Sequence, residues 1–360
     1  MSSGLNPPSG IRVLVADDSA FMRTALTRMI ESDPGLRVIG TAQTGTQALE
    51  KVNSLKPDVV TLDVEMPGMN GLETLKHIMK ESPRPVIMVS SLTQEGAETT
   101  LEALAEGAFD YCAKQLSYAS LDIVKIRDDL VAKIKAAALS RPLVRPSAST
   151  PAPIIPVIPR DSYQPTAAIV ALGTSTGGPK ALQEILPMLP EDLPVGVLIV
   201  QHMPVGFTGP FARRLDNLCK ISVREAAHGD LIEPGVVYIA PAGWQLTVRR
   251  RLDSKVGIHL AKGAPNDLHV PSADVMMLSV AEVFRSLAMG VIMTGMGADG
   301  ARGMEEICHQ GGLTVGQDEP SCTVYGMPRS CAEMHVLKRV VPLRQIPQQI
   351  MQATGYRRRQ

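Results

Sequence analysis

Long apolar runs are missing from this sequence. Stretches such as residues 195–200 are of strand length, far short of the roughly 20 residues that cross a bilayer as a helix, so no membrane insertion is expected. Residues 1–10 show no basic segment followed by an apolar one, which excludes the pattern of a secretory signal there. Cysteine is sparse. Cys112, Cys219, Cys308, Cys322 and Cys331 are odd in number and form no CxxC, which argues against a disulfide framework or a thiolate zinc site and predicts reduced thiols in a cytoplasmic protein. Net charge is also absent, with 36 basic side chains against 36 acidic ones. No field over the whole molecule would draw it to nucleic acid or anionic lipid. The short basic runs at 249–251 and 357–359 read as solvated surface. No tandem repeat of solenoid length is present.

What the chain has is alternation. Its 360 residues suffice for about two domains, each with its own core. Apolar runs at 11–16, 38–41, 58–62, 85–89 and 109–113 read as buried strands, and amphipathic segments such as 20–30, 71–79 and 95–105 lie between them. A helix over 121–139 closes the unit. Strand–helix alternation repeated five times predicts a parallel sheet covered on both faces. Composition then shifts. Prolines at 142, 146, 151, 153, 156, 159 and 165, spaced by serine, threonine and alanine, favour an extended linker. Beyond it, 167–172, 196–200, 236–240, 290–293 and 313–316 again read as strands, several separated by helices. The expected division is 1–139, a linker at 140–165, and 166–356.

Three carboxylates fall at strand ends of the first unit: Asp17 and Asp18 after the first strand, Asp63 after the third. In a parallel sheet these ends share one edge. Clustered carboxylates repel and need a cation, and an all-oxygen set selects a hard one, magnesium being the natural choice. Ser90 and Lys114, at the ends of the fourth and fifth strands, offer a hydroxyl and an ammonium to the same edge. That combination suits a phosphoryl group, whose oxygens need donors and positive charge. The plainer alternative, that Asp17 and Asp18 cap a helix, does not explain the other three.

These residues, with the run Asp63-Val64-Glu65-Met66-Pro67-Gly68-Met69-Asn70-Gly71, resemble the receiver domain of two-component response regulators. The resemblance implies a flavodoxin-like (βα)5 fold and a histidine kinase that donates phosphate to Asp63. It also implies magnesium held by Asp18, Asp63 and the backbone carbonyl of Glu65, with Asp17 acting partly through water. Tyr111 matches the family's rotamer-switching aromatic. One departure is Gln115, where proline usually follows the lysine.

In the second unit Gly173-Thr174-Ser175-Thr176-Gly177 follows a strand, and Gly178-Pro179 leads into a helix. Pro179 fits the first helical turn, where its missing N–H costs nothing. Small residues allow a sharp turn exposing the Ser175 hydroxyl before a helix N-terminus. By itself this motif fits a hydrolase or an anion site equally. A nucleophilic serine needs a base. Of seven histidines, His202 alone directly follows an apolar strand, while His77 lies on a receiver helix. His228, His259, His269, His309 and His335 stand in polar or ambiguous contexts. Gly295-Met296-Gly297-Ala298-Asp299-Gly300 formally matches GxGxxG. Asp299, however, would face a pyrophosphate at the helix mouth, and too few residues follow for a dinucleotide fold. An aspartate there can instead fix the tautomer of an imidazole. A transcription-factor output would need a helix-turn-helix with a basic face, and none is evident.

The order Ser175, His202, Asp299 differs from that of the α/β-hydrolases. The unit is similar to the catalytic domain of the chemotaxis protein-glutamate methylesterase/glutamine deamidase family. The likeness is carried by 173–179, Gln201-His202-Met203-Pro204, Pro271-Ser272-Ala273-Asp274-Val275, 294–300 and Tyr325-Gly326-Met327-Pro328, and by the receiver standing first. It implies a second doubly wound, mostly parallel α/β domain with Ser175, His202 and Asp299 as the triad. Substrates would be methylated glutamates and some glutamines on chemoreceptor cytoplasmic helices, with no cofactor for hydrolysis. The Thr176 and Met296 backbone N–H groups are the candidate oxyanion donors. The chain departs in reading Ala240-Pro241-Ala242-Gly243 and in carrying Gln245 where a histidine often stands. An unphosphorylated receiver is expected to restrain hydrolysis until Asp63 is phosphorylated.

Overall fold

Strands buried at every position build the core of both halves, and that burial reflects their near-continuous Val, Ile and Leu content. The computed structural model describes residues 10–91, 93–114, 120–140, 167–264 and 266–356. Gln115 and the proline-rich segment 141–165 lie outside them. The chain divides into two compact units, 1–145 and 146–360.

The first unit runs β1 (Ile11–Ala16), α1 (Ala20–Glu31), β2 (Leu36–Ala42), α2 (Gly45–Leu55), β3 (Val59–Asp63), α3 (Gly71–Glu81), β4 (Val86–Ser90), α4 (Gln94–Ala105), β5 (Asp110–Ala113) and α5 (Ser120–Leu139). Its sheet order is β2-β1-β3-β4-β5, parallel throughout, as the alternation predicts. Four helices start on side-chain caps, Ser19, Thr44, Asn70 and Thr93. Asn70 and Glu73 form a reciprocal capping box. Because all five strands run parallel, the acidic residues that follow β1 and close β3 collect at one edge.

The second unit runs β6 (Ile169–Thr174), α6 (Gly178–Ile185), β7 (Gly196–Gln201), α7 (Thr208–Leu218), β8 (Ser222–Glu225), β9 (Val236–Ile239), β10 (Trp244–Arg250), β11 (Val256–Lys262), α8 (Ala273–Phe284), β12 (Ala288–Ile292), α9 (Ala301–His309), β13 (Leu313–Gln317), α10 (Met327–Glu333), β14 (Arg339–Val341) and α11 (Ile346–Ala353). Seven parallel strands form one sheet in the order β14-β13-β12-β6-β7-β9-β8. From β6 the chain moves to β7 on one side and later returns to β12 on the other. That reversal opens a crevice at the carboxyl ends beside β6, the usual place for a site in such sheets. On one face Met276, Met277 and Val280 of α8 pack with Ile169, Ala171 and Ile292. Each such side chain contributes roughly 1.5–3 kcal/mol by leaving water.

The structure adds β8, β14 and the antiparallel pair β10–β11 to the expected strands. β8 and β14 are edge strands of four and three residues, the short edges that discourage edge-to-edge pairing and that are too brief to leave a strand-length apolar run. β10 ends in Arg249 and Arg250, and Arg251 opens the turn to β11, so the basic run marks the tip of a hairpin. Among the described residues no helix is long and apolar enough to cross a membrane.

Candidate active site and phosphoacceptor edge

β6 and β7 end in register, Thr174 beside Gln201, so the next residues, Ser175 and His202, emerge side by side. The His202 N–H donates to the Thr174 carbonyl at 3.2 Å, and the Ser175 N–H to the Thr294 carbonyl at 3.0 Å. Gly295 is required there, because a Cβ on it would stand 2.9 Å from the Ser175 Cβ. Ser175 is half-buried. Its hydroxyl makes no hydrogen bond among the described residues, and the N–H groups of Thr176 and Met296 likewise donate to nothing. In a site without substrate, catalytic hydrogen bonds are often long and tighten on binding.

The carboxylate is the best-held member. Asp299 Oδ2 lies 2.7 Å from His202 Nε2. Asp299 also accepts from the Ser272 hydroxyl at 2.7 Å and from the N–H groups of Ala273 at 2.6 Å and Asp274 at 3.0 Å. It therefore sits on the N-terminus of α8, where four donors and the helix dipole favour negative charge. Burial pushes the carboxyl up, but His202, Ser272 and the Asp274 N–H outweigh it and hold Asp299 well below the usual carboxylate range. With Nε2 committed to Asp299, Nδ1 is the imidazole nitrogen left for a proton acceptor.

At the first unit's edge one oxygen from each of Asp17, Asp18 and Asp63 lies within 4.8 Å of the others. Asp17 and Asp63 are buried and Asp18 is exposed. Lys114 Nζ is 3.0 Å from Asp17 Oδ2 and 2.6 Å from Asp63 Oδ2. One ammonium cannot neutralise two buried carboxylates. Burial accordingly raises Asp63 to about 6, against the pull of Lys114 and with help from Asp17. Burial lowers Lys114, but the two aspartates outweigh it and raise it overall. A net-negative, all-oxygen cluster fits a hard divalent ion. Ser90 Oγ donates to the Ser91 carbonyl at 3.1 Å and the Gly96 carbonyl at 3.2 Å, while the Glu65 N–H reaches Asp63 Oδ1 at 3.2 Å. Tyr111 is buried beneath this edge, and its backbone carbonyl accepts from Lys133 at 2.7 Å.

Comparison with known proteins places both halves. The family model described as CheB methylesterase matches residues 170–350, and that of the response regulator receiver domain matches 13–124. A protein-glutamate methylesterase/protein-glutamine glutaminase of Symbiobacterium thermophilum is 48% identical over 96% of this chain and 97% of its own. The chain belongs to the CheB methylesterase family. A relative of the same name from Oleidesulfovibrio alaskensis is 46% identical over 95% of this chain and 99% of its own. The crystal structure of the Thermotoga maritima CheB methylesterase catalytic domain superposes with a TM-score of 0.50 at 38% identity, covering 52% of this chain and 98% of that one. The protein is therefore an enzyme of the CheB type carrying an N-terminal receiver.

Within this CheB-type site, some residues were not assigned from sequence. Ser272 lies in a segment that carries the family likeness, yet only the fold turns its hydroxyl onto Asp299. His269, ambiguous in sequence, stacks on His202 with ring centroids 4.3 Å apart and planes 7° from parallel. Gln245 fixes that segment. Its Nε2 donates to the His269 carbonyl at 2.9 Å and to Asp267 at 3.1 Å, and its Oε1 accepts from the Ser272 N–H at 2.8 Å. No local pattern announces contacts spanning more than 20 residues.

Proposed function

We propose that this protein hydrolyses γ-glutamyl methyl esters, and deamidates glutamines, on the cytoplasmic helices of methyl-accepting chemoreceptors through a covalent ester on Ser175. His202 accepts the Ser175 proton at Nδ1 as the hydroxyl attacks the γ-carbonyl, and returns it to departing methanol or ammonia. Asp299 keeps the proton on Nε2 and stabilises the imidazolium that forms. The N–H groups of Thr176 and Met296 receive the oxyanion, and each such donor lowers the barrier by roughly 3 kcal/mol. Water, deprotonated by the same imidazole, then frees the glutamate. The observation that carries this reading is the 2.7 Å contact between His202 and Asp299, on a strand end adjoining that of Ser175.

The receiver regulates this chemistry in the same reading. Asp63 accepts a phosphoryl group from a histidine kinase. Asp18, Asp63 and the Glu65 carbonyl would hold magnesium, with Asp17 reaching it through water. The ion supplies charge neutralisation for phosphoryl transfer. Lys114 and Ser90 are suited to bind the phosphoryl oxygens, and Tyr111 to switch with them. Cytoplasmic location and a role in chemotactic adaptation or a related sensory pathway follow from these partners.

Methyl-labelled receptor membranes test the reading. The protein should release labelled methanol, and Ser175→Ala should lower that release by about a thousandfold or more. Release that survives the substitution refutes a serine mechanism.

A further inference from the structure

Gln201 closes β7 and is 1% exposed, yet its amide belongs to neither strand ladder. Nε2 donates to the Ser175 carbonyl at 3.0 Å and to the His202 carbonyl at 3.0 Å. Both carbonyls stand one residue past the ends of β6 and β7, and the Ser175 carbonyl also accepts from the Gly178 N–H at 2.8 Å. One amide nitrogen thus ties the residue carrying the hydroxyl to the residue carrying the imidazole. The other direct tie across these turns is the His202 N–H on the Thr174 carbonyl.

Space for the amide is reserved by Gly178 at the head of α6. A Cβ there would come within 2.0 Å of Gln201 Oε1 and 2.5 Å of Thr174 Oγ1. The amide has one workable orientation, since its reverse would set Oε1 against two carbonyls with no proton between them. An ordinary buried glutamine kept for stability would be hydrogen-bonded at both ends. Here Oε1 has no hydrogen-bond partner among the described residues, so the amide's hydrogen bonds to them all run from Nε2 to the two carbonyls beside the hydroxyl and the imidazole.

We infer that Gln201 is a positioning residue that holds Ser175 and His202 at the separation proton transfer requires, without touching substrate. This inference rests on the serine-hydrolase reading above.

The test uses the full chain with Gln201→Met, which has no donor, and Gln201→Glu. Two quantities are read: kcat and KM for methanol release from methyl-labelled receptor, and the rate at which a fluorophosphonate labels Ser175. Misplacement of reacting groups by about an ångström costs on the order of a hundredfold in rate. Q201M should therefore lose about 10- to 100-fold in both kcat and labelling, with KM within about twofold. Q201E should behave likewise near neutral pH and recover relative to the parent as pH falls from about 8 to about 6, because a protonated carboxyl regains one donor. Rates within about twofold of the parent for Q201M, or a loss confined to KM, overturn the inference. If Q201M does not fold, a pH-independent ratio of Q201E to parent overturns it instead. An active Ser175→Ala, or a parent whose Ser175 resists labelling, overturns the hydrolase reading and this inference together.

Discussion

Asp299 accepts from four donors, the His202 ring, the Ser272 hydroxyl and the N–H groups of Ala273 and Asp274, and two predictions follow from them. Removing the Ser272 hydroxyl takes away one bond to a charged acceptor, worth roughly 1.5–3 kcal/mol. Ser272→Ala should lower kcat about tenfold while receptor KM stays near its parent value, as steady-state methanol release will report. The second concerns pH. Asp299 titrates below its ordinary 3.8 in the folded chain, so its contribution to stability is complete above that value and is lost as pH falls through the folded one. Asp299→Asn should melt below the parent at pH about 6, and calorimetry should find that gap closing as pH approaches about 2. At the other edge the sign reverses. The folded Asp63 titrates near 6 against an ordinary 3.8, so without a divalent ion the receiver loses stability as pH rises between those values, by about 2 kcal/mol. With magnesium chelated, Asp63→Asn should unfold at a higher temperature than the parent near pH 7.5 and at a similar one near pH 4. Adding magnesium should close the difference by stabilising the parent.

At the scale of elements, α8 joins core to chemistry. Its first turn holds Asp299, and Met277, fully buried one turn on, packs against Gly173 of β6 and Gly303 of α9. Met277→Ala should destabilise the catalytic unit by about 2–5 kcal/mol, measurable by denaturant unfolding. The elements also show where sequence reading succeeds. Buried parallel strands are legible because both faces are apolar, as in Val59–Asp63 and Gly196–Gln201. The hairpin β10–β11 was not legible, since its half-exposed pattern ends in arginines. Ser175 and His202 could be picked out because each closely follows an apolar strand that ends at one sheet edge, and Asp299 because it lies in a glycine turn between such a strand and a helix. Ser272, Gln245 and His269 could not, because their roles depend on where the segment before α8 crosses that edge. Tertiary placement, not local periodicity, assigns them.

At the scale of the whole molecule, the chain joins a receiver domain to a methylesterase domain, and the function proposed above makes phosphorylation of the first a control on the second. If the unphosphorylated receiver restrains the catalytic unit, a truncation beginning near Pro165 should cleave receptor esters faster than the unphosphorylated full chain; a small-molecule phosphodonor with magnesium should close that gap, and Asp63→Asn should abolish the response. An equal or slower truncation contradicts the restraint. The central claim is that hydroxyl, imidazole and carboxylate act as one unit, and the kinetics of combined substitutions test it most directly. Groups that act together lose activity non-additively. Methanol release by Ser175→Ala/His202→Ala should therefore fall no further than that of Ser175→Ala alone. Losses that multiply, each substitution lowering the rate independently of the other, would contradict the account.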